Sequence, residues 1–169
     1  MAKYLALIAG ITKEVIGLVT SVGAADADKL VQTGSNGRLD TSVMPTGLGA
    51  DTEQMPASEA LAAGDLVHTW PNAGVTNARK ADASATGKRA RGYVLSAVAS
   101  GATATVYFEG RNDQLTGLTP GSDLYLSPTT PGRATNVVPT GAGQVVQPIG
   151  VAINATTMNF EPAEPIVLA

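Results

Sequence analysis

The sequence of 169 residues predicts an all-β protein, a small antiparallel β-barrel or sandwich that follows an extended N-terminal arm. From residue 54 onward, short apolar runs alternate with turn residues at intervals of roughly 8 to 12, which is typical of such folds. The 19 glycines and 10 prolines would interrupt almost any long helix. A connection rich in Gly, Pro and Thr at residues 45–52 marks the boundary, so we assign residues 1–51 to the arm and 52–169 to the β domain.

Two adjacent runs predict an antiparallel hairpin at the centre of the β domain. Residues 92–98 and 103–109 are apolar, β-branched or aromatic, and four small residues separate them. In the second run, Ala104, Val106 and Phe108 alternate with polar residues. This spacing places those three side chains on the buried face of a strand.

Further strands are expected on both sides of this hairpin, at residues 60–62, 65–70, 75–80, 123–127, 132–136, 144–154 and 157–160. The run 144–154 is apolar on both faces, because Val145, Ile149, Val151 and Ile153 alternate with Val146 and Ala152. A strand of this kind requires cover on both sides. We expect either a second layer of the domain or a subunit interface to supply it.

The arm combines two patterns. Residues 1–21 match helix and strand periodicity equally, but Gly10, Gly17 and several β-branched residues favour extended structure. Further on, Leu30 and Val31 precede an Asn36-Gly37 turn, which predicts a short hairpin. Such a hairpin buries little by itself, so we expect a partner to order the arm.

The apolar run at residues 4–11 is also the one candidate for a targeting signal. Lys13 and Glu14 follow it closely, which leaves about 8 apolar residues, near the lower limit for a secretion signal. Secretion is therefore the less favoured interpretation. No window reaches the roughly 18 apolar residues of a membrane span, so we expect no membrane partner.

Composition argues against several classes of chemistry. Charged residues make up 15% of the chain and the net charge is −3, without a run of like charges, so nucleic acid is a disfavoured partner. There is no cysteine, and His68 is the one histidine, which argues against a zinc site of the usual kind. The Gly87-Lys88 pair lacks the remaining parts of a phosphate-binding loop. We expect no enzyme activity, no metal and no cofactor.

One local concentration of positive charge stands out, at Lys88, Arg89 and Arg91, with Arg79 and Lys80 nearby in sequence. It is either a solvated rim or a contact for an acidic partner surface. Large rings such as Trp70 often anchor a core or an interface. The residues that we expect at a capsid or subunit interface are Leu30, Val31, Leu39, Met44, Trp70, Lys88, Arg89 and Arg91.

Three stretches resemble structural proteins of tailed-bacteriophage virions, of the head decoration or capsid cement kind. They are residues 23–51, residues 58–70, and the run 90–126 with its continuation at 128–135 and 145–153. The resemblance implies a barrel or tulip-like domain on the outside of the capsid, with an arm that reaches neighbouring subunits. It also implies synthesis in the host cytoplasm, binding to the major capsid protein, and self-association as a dimer or trimer.

A second virion location remains open. Phrases like the Asn-Gly-Arg-Leu-Asp of residues 36–40 also occur in tail-fibre and baseplate proteins, in which the β domain would contact a host receptor. Fibres usually carry longer repeats and signals for trimeric stalks, which this sequence lacks. We therefore favour the capsid surface.

Overall fold

The computed structural model describes residues 3–44 and 49–169, which form two compact units, Met1–Gly49 and Ala50–Ala169. The described residues contain 14 β-strands and two short 3₁₀ helices. This confirms the predicted all-β class, and the larger unit has a sandwich-like arrangement. No helix in the described ranges is long and apolar enough to cross a membrane.

The first unit begins with a hairpin of two strands, β1 (Lys3–Ile8) and β2 (Ile11–Ile16), which pair along their full length. Ala9 and Gly10 form the turn, and both have positive φ angles, 51° and 75°. Two-residue turns of this kind match the twist of the strands that they join. The preference for extended structure at residues 1–21 is therefore correct for the part that the structure describes.

The prediction of a hairpin around Asn36 is wrong, because the two antiparallel strands do not form. The turn itself forms, because the Gly37 amide donates to the Gly34 carbonyl at 3.0 Å. Val31, however, makes a parallel bridge with Leu18 in place of an antiparallel ladder across the turn. The chain around this turn is otherwise irregular, apart from the 3₁₀ helices Ala24–Asp26 and Thr41–Val43.

The first sheet of the second unit has five strands in the order β3-β7-β6-β4-β5, and every neighbouring pair is antiparallel. The strands are β3 (Thr52–Pro56), β4 (Leu66–Asn72), β5 (Val75–Lys80), β6 (Gly92–Tyr93) and β7 (Thr103–Tyr107). The predicted central hairpin is much reduced, since β6 and β7 meet at one residue pair, Tyr93 and Tyr107. Most of β7 pairs with β3, and Val98 bridges Leu61.

The second sheet has the order β10-β9-β12-β13-β8. Its strands are β8 (Gly110–Asn112), β9 (Asp123–Leu126), β10 (Ala134–Thr135), β12 (Pro148–Ala152) and β13 (Met158–Phe160). A separate pair joins β11 (Val145–Val146) to β14 (Ile166–Val167).

A bulge in β12 overturns the predicted faces of residues 144–154. The register between β12 and β9 shifts between Pro148 and Gly150. Ile149 and Ala152 consequently lie in the core, whereas Val151 and Ile153 are exposed. The expectation that Ile149, Val151 and Ile153 share one face is therefore wrong, because an extra residue reverses the alternation.

Two apolar clusters form the core, one on each face of the first sheet. Leu66 and Tyr93 belong to the larger cluster, which also contains side chains from the second sheet, such as Ile149. Their chain neighbours Val67 and Val94 belong to the other cluster. That cluster also contains Ala104 and Val106, as predicted, with Phe108 partly buried beside it. The parallel bridge between Ala57 and Ala78 joins the two edges of this sheet.

Candidate interaction site

The structure places the predicted interface residues in two groups. Leu30, Val31 and Leu39 are exposed in the first unit, and Met44 is half-buried there. The second group lies in the larger unit and consists of Trp70, Lys88, Arg89 and Arg91.

In the first unit, the N-terminal hairpin carries several highly exposed apolar side chains. Leu5 is 78% exposed, Leu7 74% and Ile11 62%. From the pairing, Leu5, Leu7 and Ile16 lie on one side of the hairpin, and Ile11 lies on the other with Tyr4. We did not predict these residues as contacts, although the apolar run 4–11 was a visible signal for them. A two-stranded hairpin that is apolar on both sides gains stability from a covering partner.

In the second unit, Trp70, Arg79, Lys88, Arg89 and Arg91 form a surface that we call the basic face. Arg79 lies opposite His68 in the pairing of β4 with β5. The chain then folds back over this pair, because the Arg79 guanidinium donates to the Gly87 carbonyl at 3.3 Å and His68 Nδ1 lies 2.9 Å from the Arg89 carbonyl oxygen. These contacts bring Arg79 beside the Lys88, Arg89 and Arg91 cluster, as its nearness in sequence suggested.

Trp70 belongs to the basic face through Arg79. The Arg79 guanidinium lies 4.6 Å from the centre of the Trp70 ring, which is a cation–π contact. The indole N–H donates to Ser58 Oγ at 3.2 Å. Arg79 Nε is buried without a hydrogen-bond partner among the described residues. The contact holds the guanidinium of Arg79 over the Trp70 ring.

A buried glutamine holds the segment that carries Arg89 and Arg91. Gln147 is 1% exposed, accepts from the Ala90 amide at 2.8 Å and donates to the Ala90 carbonyl at 2.9 Å. The same amide group donates to the Ala163 carbonyl at 3.2 Å. Gln147 therefore fixes the backbone on either side of Ala90. Sequence reasoning missed this role, because a glutamine in an apolar run carries no signal for a partner 57 residues away.

The charges of the basic face are partly compensated. Lys88 pairs with Asp82 at 3.5 Å, and Arg89 pairs with Glu164. Neither Arg79 nor Arg91 has an ion-pair partner among residues 3–44 and 49–169. The face therefore presents positive charge that is available to an acidic partner.

The histidine beneath this face stays neutral near pH 7. Burial lowers the pKa of His68, and the cations of Arg79, Arg91 and Arg89 lower it further, against the opposing effect of the bond to the Arg89 carbonyl. Since a carbonyl can only accept, Nδ1 carries the proton and donates it to Arg89. His68 therefore acts as a neutral support for the segment.

A cavity of about 250 Å³ lies next to Arg89 and Arg91, with Phe108, Gln147 and Glu164 among its lining residues. Within the described ranges, no group of three His, Asp or Glu side chains could hold a metal ion. Comparison of the chain with family models, curated proteins and solved structures finds no match.

Proposed function

We propose that this protein is a structural virion protein that decorates the outer surface of a tailed-phage capsid and stabilises it by binding across neighbouring major capsid subunits. The observation that carries the proposal is the N-terminal hairpin, which exposes Leu5, Leu7 and Ile16 on one side and Ile11 on the other. A surface of this kind is stable when a partner covers it. The resemblance of residues 23–51, 58–70 and 90–126, with 128–135 and 145–153, to decoration proteins supports the major capsid protein as that partner.

The hairpin would supply most of the binding free energy. Covering one exposed leucine or isoleucine completely contributes about 1.5–3 kcal/mol. Leu5, Leu7 and Ile11 together would contribute several kcal/mol, before the cost of association is subtracted. The basic face would add a second, salt-dependent contact with an acidic part of the shell.

Two attachments on one chain explain how the protein would stabilise the shell. Once one attachment is bound, the second binds at a high effective concentration, provided that both can be reached together. Each bound copy lowers the free energy of the assembled shell and leaves free subunits unchanged. The proposed function therefore needs no catalytic step and no cofactor.

The experiment compares phage particles assembled with and without the protein. Complete particles should withstand a higher temperature and a stronger osmotic shock before they release DNA, and electron microscopy should show added density on the outside of the head. Equal resistance of the two particle types would contradict the proposal. Density on the tail would instead favour the tail-fibre or baseplate alternative.

A further inference from the structure

A second surface of the larger unit has a net negative charge and lies at another cavity. This cavity of about 480 Å³ is a groove lined by Asp51, Tyr107, Glu109 and Glu161, by one cation, Arg111, and by the buried rings of Tyr93 and Phe160. We call it the acidic groove. Its size lies within the range of pockets that receive whole side chains or small ligands.

The floor of the acidic groove consists of three aromatic rings that pack against one another. The rings of Tyr93 and Tyr107 stack with their centres 5.4 Å apart, and Tyr93 meets Phe160 edge to face at 5.3 Å. The Tyr93 hydroxyl donates towards the carbonyls of Arg111 at 2.9 Å and Glu109 at 3.2 Å. Burial raises the pKa of Tyr93 to about 12, with smaller contributions from Tyr107 and Asp113, so this donor stays protonated. The backbone that carries Glu109 is thereby fixed to the aromatic floor.

Three carboxylates and one cation, Arg111, lie around this floor, so the lining has a net negative charge. Asp51, Glu109 and Glu161 are exposed, and none of them has an ion-pair partner in the described part of the chain. Half-buried Tyr107 offers a ring on which a guanidinium can stack, while carboxylates accept its hydrogen bonds. The chain itself makes a cation–π contact of this kind between Arg79 and Trp70. The groove therefore suits an arginine side chain.

The acidic groove and the basic face adjoin each other. Phe108 lines the cavity next to Arg91, and the following residue, Glu109, lines the acidic groove. In the same way, Glu161 lines the groove and Pro162 the cavity next to Arg91. When positive and negative surfaces lie side by side, a second copy turned by half a turn presents each charge to its opposite.

We propose that the acidic groove of each copy receives Arg91 from the basic face of a second copy, which makes the protein a dimer. Arg91 is the suitable residue, because it is exposed and has no ion-pair partner in the described chain, whereas Arg79 is held by Trp70 and Arg89 by Glu164. This dimer requires no capsid, so it goes beyond the proposed function and can be tested without particles.

The test uses the full-length chain with charge reversals in solution. Arg91→Glu removes the basic contact and keeps the acidic groove unchanged. Glu109→Lys reverses a charge of the groove and keeps Arg91 unchanged. Sedimentation equilibrium should show that the wild type dimerises and that the dissociation constant rises with salt. Each variant alone should dimerise roughly tenfold or more weakly, because like charges then face each other. An equimolar mixture of the two variants should recover the dimer, since the reversed charges again match.

Controls separate the proposed contact from net charge and from misfolding. Arg38→Glu and Glu53→Lys make the same charge changes at exposed positions outside both surfaces and should dimerise like the wild type. Circular dichroism monitors folding, and Glu161→Lys replaces Glu109→Lys if the latter does not fold. A wild type that stays monomeric, single variants that dimerise normally, or a mixture that fails to associate would each overturn the proposal. Particle stability is measured separately, so the dimer and the capsid function can fail independently.

Discussion

The contacts of Gln147 give the sharpest prediction for stability. Gln147→Leu keeps the approximate volume of the side chain but removes its hydrogen bonds to the amide and carbonyl of Ala90. Ala90 is 2% exposed, so water has little access to these two groups. An unsatisfied buried group costs about 1–3 kcal/mol, which gives about 2–6 kcal/mol for the pair. The carbonyl of exposed Ala163 can bind water and adds little.

The assay is urea denaturation monitored by circular dichroism. The expected loss is large compared with the free energy of unfolding of about 5–15 kcal/mol that is typical of domains. The m-value should stay roughly constant. Gln114→Leu is the matched control, because Gln114 is exposed and its side chain binds neighbouring Asp113. We expect the control to change the free energy of unfolding by less than about 0.5 kcal/mol. A Gln147→Leu protein within about 1 kcal/mol of the wild type would refute the reasoning, since Ala90 would then have found other partners.

Three further predictions concern a glycine, the hairpin and the histidine. Gly150→Ala should destabilise the protein by about 2–5 kcal/mol in urea denaturation, because the φ of Gly150 is +128° and an added Cβ would overlap the Asn159 carbonyl oxygen. The control Gly121→Ala, at φ +78° with open space around the added Cβ, should cost about 1–2 kcal/mol. Equal costs for the two variants would contradict the steric argument. Leu7→Asp should abolish binding to phage particles in a co-sedimentation assay. Because Leu7 is exposed, the free energy of unfolding should stay within about 0.5 kcal/mol of the wild type. Retained binding would exclude a role for the hairpin. Burial lowers the pKa of His68 below its unfolded value of 6.5, so the folded state binds fewer protons and stability should fall as the pH drops below about 6.5. His68→Gln should flatten this part of the plot of unfolding free energy against pH. An unchanged slope would show that other groups cause the pH dependence.

Part of the candidate interaction site was visible in sequence. Lys88, Arg89 and Arg91 are close together in the chain, so their clustering followed from local spacing. The orientation of the face was not visible, because it depends on the Gln147 clamp and on the folding of residue 87 back to Arg79. The acidic groove was likewise hidden, since Asp51, Glu109 and Glu161 come from three distant segments.

By itself, the sequence determined the fold class and much of the strand pattern of the larger unit. Gly and Pro punctuation excluded long helices, and the alternation in 103–107 predicted the burial of Ala104 and Val106, because side-chain direction in a strand has a period of two residues. Tertiary structure alone decided how the strands pair. We did not predict β3, because Met55 is the one buried side chain in that strand. The pairing with β7 determines the place of β3 in the sheet. The bulge at Gly150 similarly depends on β9 and β13, and such contacts between distant segments leave no local pattern in the residues that make them.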